Sequence, residues 1–164
     1  MDTSWTVCEL GCGPALPSLV LAGLGLPLVI ATDLDELALD MVTKAAQEQG
    51  FDNLKTKCVD LTGNTDVLDQ INADLYVMSD VFENGHVAKG AARMTMKALI
   101  SGSRVWIFAQ SDRAQREIFR EELKNLGADK YGTIGWLMNE SDNVELCSDQ
   151  LLLFDLDEVT VNYG

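Results

Sequence analysis

Short apolar runs of five to seven residues alternate along this chain with longer segments in which apolar residues return every three or four positions. Residues 5–10 read as a first strand and 15–24 as a helix, with Pro14 and Pro17 tolerated in its opening turn. Residues 27–32 form a continuous apolar run, as a strand covered on both faces should. A helix over 35–49 has Leu37, Met41, Val42 and Ala45 as its inward stripe, and Gly50 stops it. Strands follow at 54–59 and 74–79, separated by a short helix near 66–71. The spacing then predicts a longer helix over 87–100, with Val87, Ala91, Met94 and Ala98 inward and Lys89, Arg93 and Lys97 as a solvated row. Residues 103–109 read as a fifth strand, and 112–126 as a helix capped by Asp112 and ended by Gly127. Residues 131–137 and 150–155 look like two strands joined by a polar loop, which suggests a hairpin.

Five β-α units and a hairpin predict an α/β fold: a Rossmann-like, doubly wound, mostly parallel sheet with a C-terminal antiparallel β-hairpin. Ligands of such sheets bind beyond the carboxyl ends of the strands. The 164 residues suit one domain, 1–164, and 47% hydrophobic against 23% charged residues suit a packed core.

Charge narrows the partners. Lys and Arg number 12 against 26 Asp and Glu, a formal net charge of −14, and a field of that sign repels a phosphate backbone. Nucleic acid is therefore not an expected partner; basic protein surfaces or small molecules fit better. Cys8, Cys12, Cys58 and Cys147 show no C-x-x-C spacing and read as structural thiols of a reducing compartment, which points to the cytoplasm, unless a presequence has been removed after import into an organelle. His86 is the only histidine, so no zinc or other metal site is expected. No apolar run approaches the roughly 20 residues of a membrane span.

The chemistry is written at the strand ends. Glu9-Leu10-Gly11-Cys12-Gly13 closes the first strand with an acid and turns through two glycines into a helix, whose N-terminal N–H groups suit an anion. Glu9, Asp33, Asp60 and Asp80 stand at or just beyond the ends of the first four strands. Any one of them is at home as a turn residue or helix cap. Four along the ligand edge are costly unless something accepts their charge.

Glu9-x-Gly11-x-Gly13, then Asp33, Asp60 and the closing hairpin, resemble the class I, seven-β-strand S-adenosylmethionine-dependent methyltransferases. The wording Cys8-Glu9-Leu10-Gly11-Cys12-Gly13-Pro14, Ser79-Asp80-Val81-Phe82 and Gly102-Ser103-Arg104-Val105 is most similar to the small protein-lysine methyltransferases of family 16. The resemblance implies that Gly11 and Gly13 pass close to the methionine end of S-adenosyl-L-methionine, with Glu9 toward its amino group. It implies that Asp33 accepts both ribose hydroxyls, and that Asp60 accepts from the adenine amino group with the Leu61 N–H facing the ring. Ala15 stands where a third glycine is common. A dinucleotide-binding Rossmann domain shares the Gly turn and Asp33, but prefers glycine at the position of Leu16. It leaves Glu9, Asp60 and the hairpin unexplained.

Relatives in that family carry an acid-x-x-aromatic motif after the fourth strand. Asp80-Val81-Phe82-Glu83 keeps the acid but moves the aromatic one place early. The implied function is methyl transfer to a protein lysine, with Asp80 and Glu83 orienting the ammonium and Phe82 walling its stem; Asp80 also counts among the cofactor residues. His86 is a base by type but reads as a surface or capping residue, Trp106 reads as core, and Trp136 as core or rim. The chain begins about five residues before its first strand, whereas relatives carry helices there. That has three readings: a fragment or mis-started gene model, a minimal enzyme with a partner subunit over the truncated face, or a non-catalytic scaffold or assembly subunit. A small-molecule methyltransferase is the second alternative to lysine transfer.

Overall fold

A computed structural model of the protein describes residues 4–132, 134–137 and 150–155. The alternation read from the sequence is present: β1 (Thr6–Leu10), α1 (Leu16–Gly23), β2 (Leu28–Asp33), α2 (Glu36–Gln49), β3 (Leu54–Cys58), α3 (Val67–Ile71), β4 (Leu75–Ser79), α4 (Gly85–Ile100), β5 (Arg104–Ala109), α5 (Gln115–Asn125), β6 (Trp136–Leu137) and β7 (Leu151–Asp155). The strands form one sheet in the order β3-β2-β1-β4-β5-β7-β6. The order reverses between β1 and β4, so the chain leaves these neighbouring strands in opposite directions and opens a crevice at their carboxyl ends.

Two apolar layers hold the sheet. α1 and α2 cover one face through Ala22, Leu39, Val42 and Ala46, packed on Val7, Val29 and Ala31. α3, α4 and α5 cover the other, where Leu68, Met94, Leu99, Phe119 and Leu123 meet Cys8, Leu10, Met78 and Ile107. α4 is central, with Ala88, Gly90, Ala91, Ala92, Met94, Thr95, Met96, Ala98 and Leu99 all buried.

The C-terminal pairing differs from the expected antiparallel hairpin. β7 runs parallel to β5, in the register Val105↔Leu151 to Ala109↔Asp155, and β6 runs parallel to β7. Leu151, Leu152 and Leu153 are all buried, the continuous apolar signature of a strand covered on both faces. The segment expected as a strand over 131–137 is instead a 3-10 turn, Ala128–Tyr131, followed by the two residues of β6. Close approach explains the turn: a side chain at Gly132 would sit 2.6 Å from the Leu151 carbonyl oxygen, and the Gln150 N–H donates to the Tyr131 carbonyl at 3.1 Å. The polar loop between these strands and Cys147 lie outside the described residues.

Three finer expectations also change. α2 buries Leu39, Val42 and Ala46, leaving Leu37 69% and Met41 65% exposed, so the inward stripe is rotated from the one predicted. α5 is not capped by Asp112: it starts after Ala114, entered through turns from Arg113 N–H to the Gln110 carbonyl and from Arg116 N–H to the Arg113 carbonyl. The row on α4 is not merely solvated. Lys97 pairs with Asp69 at 2.8 Å, and the Arg93 guanidinium reaches the Thr62 carbonyl at 3.5 Å.

Exposed apolar side chains are concentrated on one side. Leu16, Val20 and Leu24 form an outward stripe on α1, and Leu34, Leu37 and Met41 another at the start of α2. Trp106, expected in the core, is half-buried on this same face. It meets Phe154 edge-on, and Phe154 stacks on Phe108 with ring centroids 4.7 Å apart.

Candidate functional site

The loop leaving β1 is shaped by backbone angles that only some residues tolerate. Gly11 and Gly13 have φ of 70° and 48°, and Ala15 follows at 55°. A Cβ on Gly11 would lie 2.8 Å from Cγ1 of Val81 and 3.4 Å from Cδ1 of Leu61, so the loops after β1, β3 and β4 converge at this glycine. A Cβ on Gly13 would meet nothing within 4 Å; space is open there. Two hydrogen bonds tie the loop to β2. The Cys12 N–H donates to the Thr32 carbonyl at 2.8 Å, and the Gly13 N–H to Oδ2 of Asp33 at 2.8 Å.

The strand-end acids divide by what satisfies them. Glu9 is 1% exposed, and its Oε2 accepts from both the N–H and the hydroxyl of Ser18, in the first turn of α1. Burial pushes its carboxyl above the ordinary glutamate range, against the pull of the Ser18 hydrogen bonds. Glu9 thus supplies the cap that Ala15 cannot. With Pro17 lacking an N–H and the Ser18 N–H taken, Leu16 is the donor left for an anion in that turn, fewer than the sequence suggests. Oε1 of Glu9 accepts nothing among the described residues.

Asp80 is satisfied by a cation. Its φ is 54°, its N–H donates to the Phe108 carbonyl, and its carboxylate holds Arg113 in a forked ion pair. Arg113 Nε lies 2.9 Å from Oδ1 and 3.1 Å from Oδ2, and a terminal nitrogen closes on Oδ2. One helical turn on, Arg116 pairs with Asp155 at 2.9 Å, both almost fully buried, and its guanidinium lies 4.0 Å from the Trp136 ring centroid. The entrance to α5 therefore neutralises the acids that end β4 and β7.

Among the described residues, Asp33 and Asp60 receive only neutral donors. Asp33 accepts from the Gly13 N–H and, at Oδ1, from the Asp35 N–H at 3.0 Å. Asp60 accepts at Oδ1 from the N–H and the hydroxyl of Thr62, both at 2.7 Å, which hold its carboxyl below the usual aspartate range. Its Oδ2 accepts nothing among the described residues. A carboxylate has about four acceptor sites, so both acids keep room for hydroxyl or amino donors. The residues present fit an adenosine-bearing ligand over Gly13.

The remaining candidates separate. Leu61 follows Asp60 and reaches toward Gly11. Phe82 is 1% exposed, packed on Phe119 at 5.0 Å and edge-on to Trp136 at 6.1 Å, so it is a core ring and not an open wall for a substrate stem. Trp136, left between core and rim, is half-buried there. Glu83 is exposed, and its charge acts on Arg113. His86 is exposed in the first turn of α4, and its N–H donates to Oδ1 of Asn84, the helix cap. Burial pushes the Cys12 thiol up to about 12 and raises Cys8 as well, so neither is a thiolate at neutral pH. Among the described residues, no group of three or more His, Cys, Asp or Glu side chains is placed to hold a metal, and no helix is long and apolar enough to cross a membrane.

Sequence reading missed Ser18, Arg113 and Arg116. A basic residue in the loop after β5, four positions past its end, opposite an acid directly after β4, is the signal that could have found Arg113.

A family model described as a methyltransferase domain matches residues 8–107. No curated protein matches the chain. Among solved structures, the [4+2]-cyclase SpnF superposes with a TM-score of 0.53 at 14% identity, over 77% of this chain and 52% of that one. TrmN from Thermus thermophilus gives a TM-score of 0.49 at 20% identity, over 57% and 29% of the two chains. Coclaurine N-methyltransferase, bound to N-methylheliamine and SAH, gives 0.46 at 16% identity, over 57% and 28%. The chain spans about half or less of the length of these structures, and the likeness concerns the fold.

Proposed function

Because the chain belongs to the methyltransferase-domain family, we propose that it binds S-adenosylmethionine and transfers its methyl group to a protein lysine. One observation carries the binding half. Asp33 ends β2 and Asp60 follows the adjacent β3 beside the Gly11–Gly13 loop, and both keep acceptor capacity that no cation among the described residues takes up. When bound, the cofactor supplies a methyl group on a sulfonium sulfur, a leaving group that needs little help. The chain's work is to bind, align and keep the acceptor unprotonated. Asp33 is assigned to the ribose hydroxyls, Asp60 and the Leu61 N–H to adenine, Gly11 and Gly13 to the close approach, and Glu9 to the amino group.

For the acceptor, the support is the family-16 wording together with local charge. Asp80, Glu83 and Asp112 all act on Arg113, so this corner already holds one cationic side chain. A lysine ammonium, with an ordinary pKa of about 10.4, would gain there too, before giving up its proton for attack. A second reading, a small-molecule acceptor, is favoured by two observations: Arg113 occupies Asp80, and Phe82 is closed into the core.

Methyl-labelled S-adenosylmethionine, incubated with the protein and a lysine-rich polypeptide or a mixture of small amines and carboxylates, separates these readings. Methyl-lysine in the acid hydrolysate supports the first. Label confined to small molecules overturns it in favour of the second. Bound donor with no label transferred to either favours a non-catalytic subunit. A partner over the α1 and α2 face remains part of the proposal, supported by the exposed stripes there.

A further inference from the structure

The loop that carries Asp60 and Leu61 has a wall behind it. Gly90 sits mid-way along α4, buried, with no side chain between the helix and this loop. A Cβ there would lie 2.4 Å from the Leu61 carbonyl oxygen, 2.9 Å from its carbonyl carbon and 3.0 Å from Cα of Thr62. These are backbone atoms, so no rotamer change relieves the contact. In front of the loop is Gly11, whose own Cβ would lie 3.4 Å from Cδ1 of Leu61. The loop is thus seated between two glycines, one on α4 and one after β1. Within it, Gly63 N–H donates to the Asp60 carbonyl at 3.0 Å and Thr62 fixes the Asp60 carboxylate, so residues 60–63 move as a unit. Arg93, one turn along α4, adds its longer contact to the Thr62 carbonyl.

We infer that Gly90 is a positioning residue for recognition of the adenine edge: its bare backbone sets how far the Asp60–Leu61 loop stands from the ligand. The inference rests on the assignment of Asp60 and Leu61 to adenine. A methyl group at position 90 must push Leu61 forward by several tenths of an ångström, toward Gly11 and the ligand. The Leu61 N–H and the Asp60 carboxylate are then carried together out of alignment with the base. The ribose acid, Asp33, lies on a different strand with its own tether to Gly13 and keeps its place.

The discriminating probe is a pair of ligands differing at that edge alone, S-adenosylhomocysteine and its 6-oxo, inosine-bearing counterpart. The 6-oxo base turns an amino donor into a carbonyl acceptor facing Asp60, and a ring acceptor into a donor facing Leu61. Calorimetry on the wild-type chain is expected to favour the adenine form by roughly 10- to 100-fold, the scale of losing hydrogen bonds to a charged group. Gly90→Ala is expected to cut that ratio several-fold while the weaker 6-oxo ligand binds nearly as before. If a folded Gly90→Ala protein loses both ligands by the same factor, or neither, Gly90 has no part in reading the base and the inference is overturned. Wild-type protein that binds both ligands equally overturns the adenine assignment itself, and the inference with it. Should Gly90→Ala fail to fold, Arg93→Ala decides on a half-buried side chain. A reduced ratio supports the seated loop, and an unchanged ratio overturns it.

Discussion

Asp80 offers a quantitative test, because two separable effects act on one residue. Its φ of 54° lies where a side chain ordinarily costs about 1–2 kcal/mol, and aspartate tolerates it better than most. Its carboxylate also holds Arg113, but the two side chains are 25% and 43% exposed, so solvent limits the pair to about 1 kcal/mol at most. Asp80→Gly loses the pair, regains the strain and gives back about 0.4–1 kcal/mol through a freer unfolded chain; the net cost is about 0.5–1 kcal/mol. Asp80→Ala loses the pair and deepens the strain, for about 1.5–2 kcal/mol. Asp80→Asn keeps the left-handed tolerance and drops only the charge, at about 1 kcal/mol or less. Urea denaturation of the three variants should order them with Ala last. Arg113→Ala should cost no more than Asp80→Asn, and that cost should shrink in high salt. An alanine variant as stable as the glycine variant would show that position 80 carries no left-handed strain, and the reasoning fails there.

Three further outcomes are expected. Arg116→Met removes the cation paired with the buried Asp155 and should cost up to about 3–5 kcal/mol in urea denaturation; Arg116→Met with Asp155→Asn should recover much of it, and equal losses would contradict a buried pair. Glu9 has a raised folded-state pKa, so the native state holds its proton more tightly than the unfolded chain does. Its contribution is therefore favourable at low pH and is lost as pH rises from about 4.3, the unfolded value, through the raised folded value. Glu9→Gln should match wild type in acid and gain on it through that window, whereas a widening advantage for wild type would reverse the sign. Replacing Leu16, Val20 and Leu24 together by Gln should lower the binding of a hydrophobic dye with about 0.5 kcal/mol or less of stability change per site; a large loss would mean that the α1 stripe is not exposed.

Much of the fold was legible because its signals are local. Apolar runs, the glycines at 11, 13 and 50, and the acid after each strand act within a few residues, and the structure gives each glycine a positive φ. What escaped reading depends on partners far along the chain. Arg113 and Asp80 are 33 residues apart, and Arg116 and Asp155 are 39 apart. α2 carries two apolar stripes, and only the sheet beneath it selects Leu39, Val42 and Ala46 over Leu37 and Met41. The direction of β7 likewise follows from β5 and the approach at Gly132, which no local pattern near 150–155 encodes. The site shows the same division. Gly13 is hydrogen-bonded to Asp33, and Leu61, next to Asp60, lies beside Gly11, whereas Phe82 is claimed by Phe119 and Trp136 from α5 and β6.

If Asp33 and the Gly11–Gly13 loop form a cofactor site, calorimetric titration of the chain with S-adenosylmethionine, beside Asp33→Ala of matched thermal stability, will reveal it. One saturable site is expected in the wild-type protein, weakened about tenfold or more by the substitution. A folded wild-type chain that binds no S-adenosylmethionine, or an Asp33→Ala protein that binds it as tightly, would contradict it.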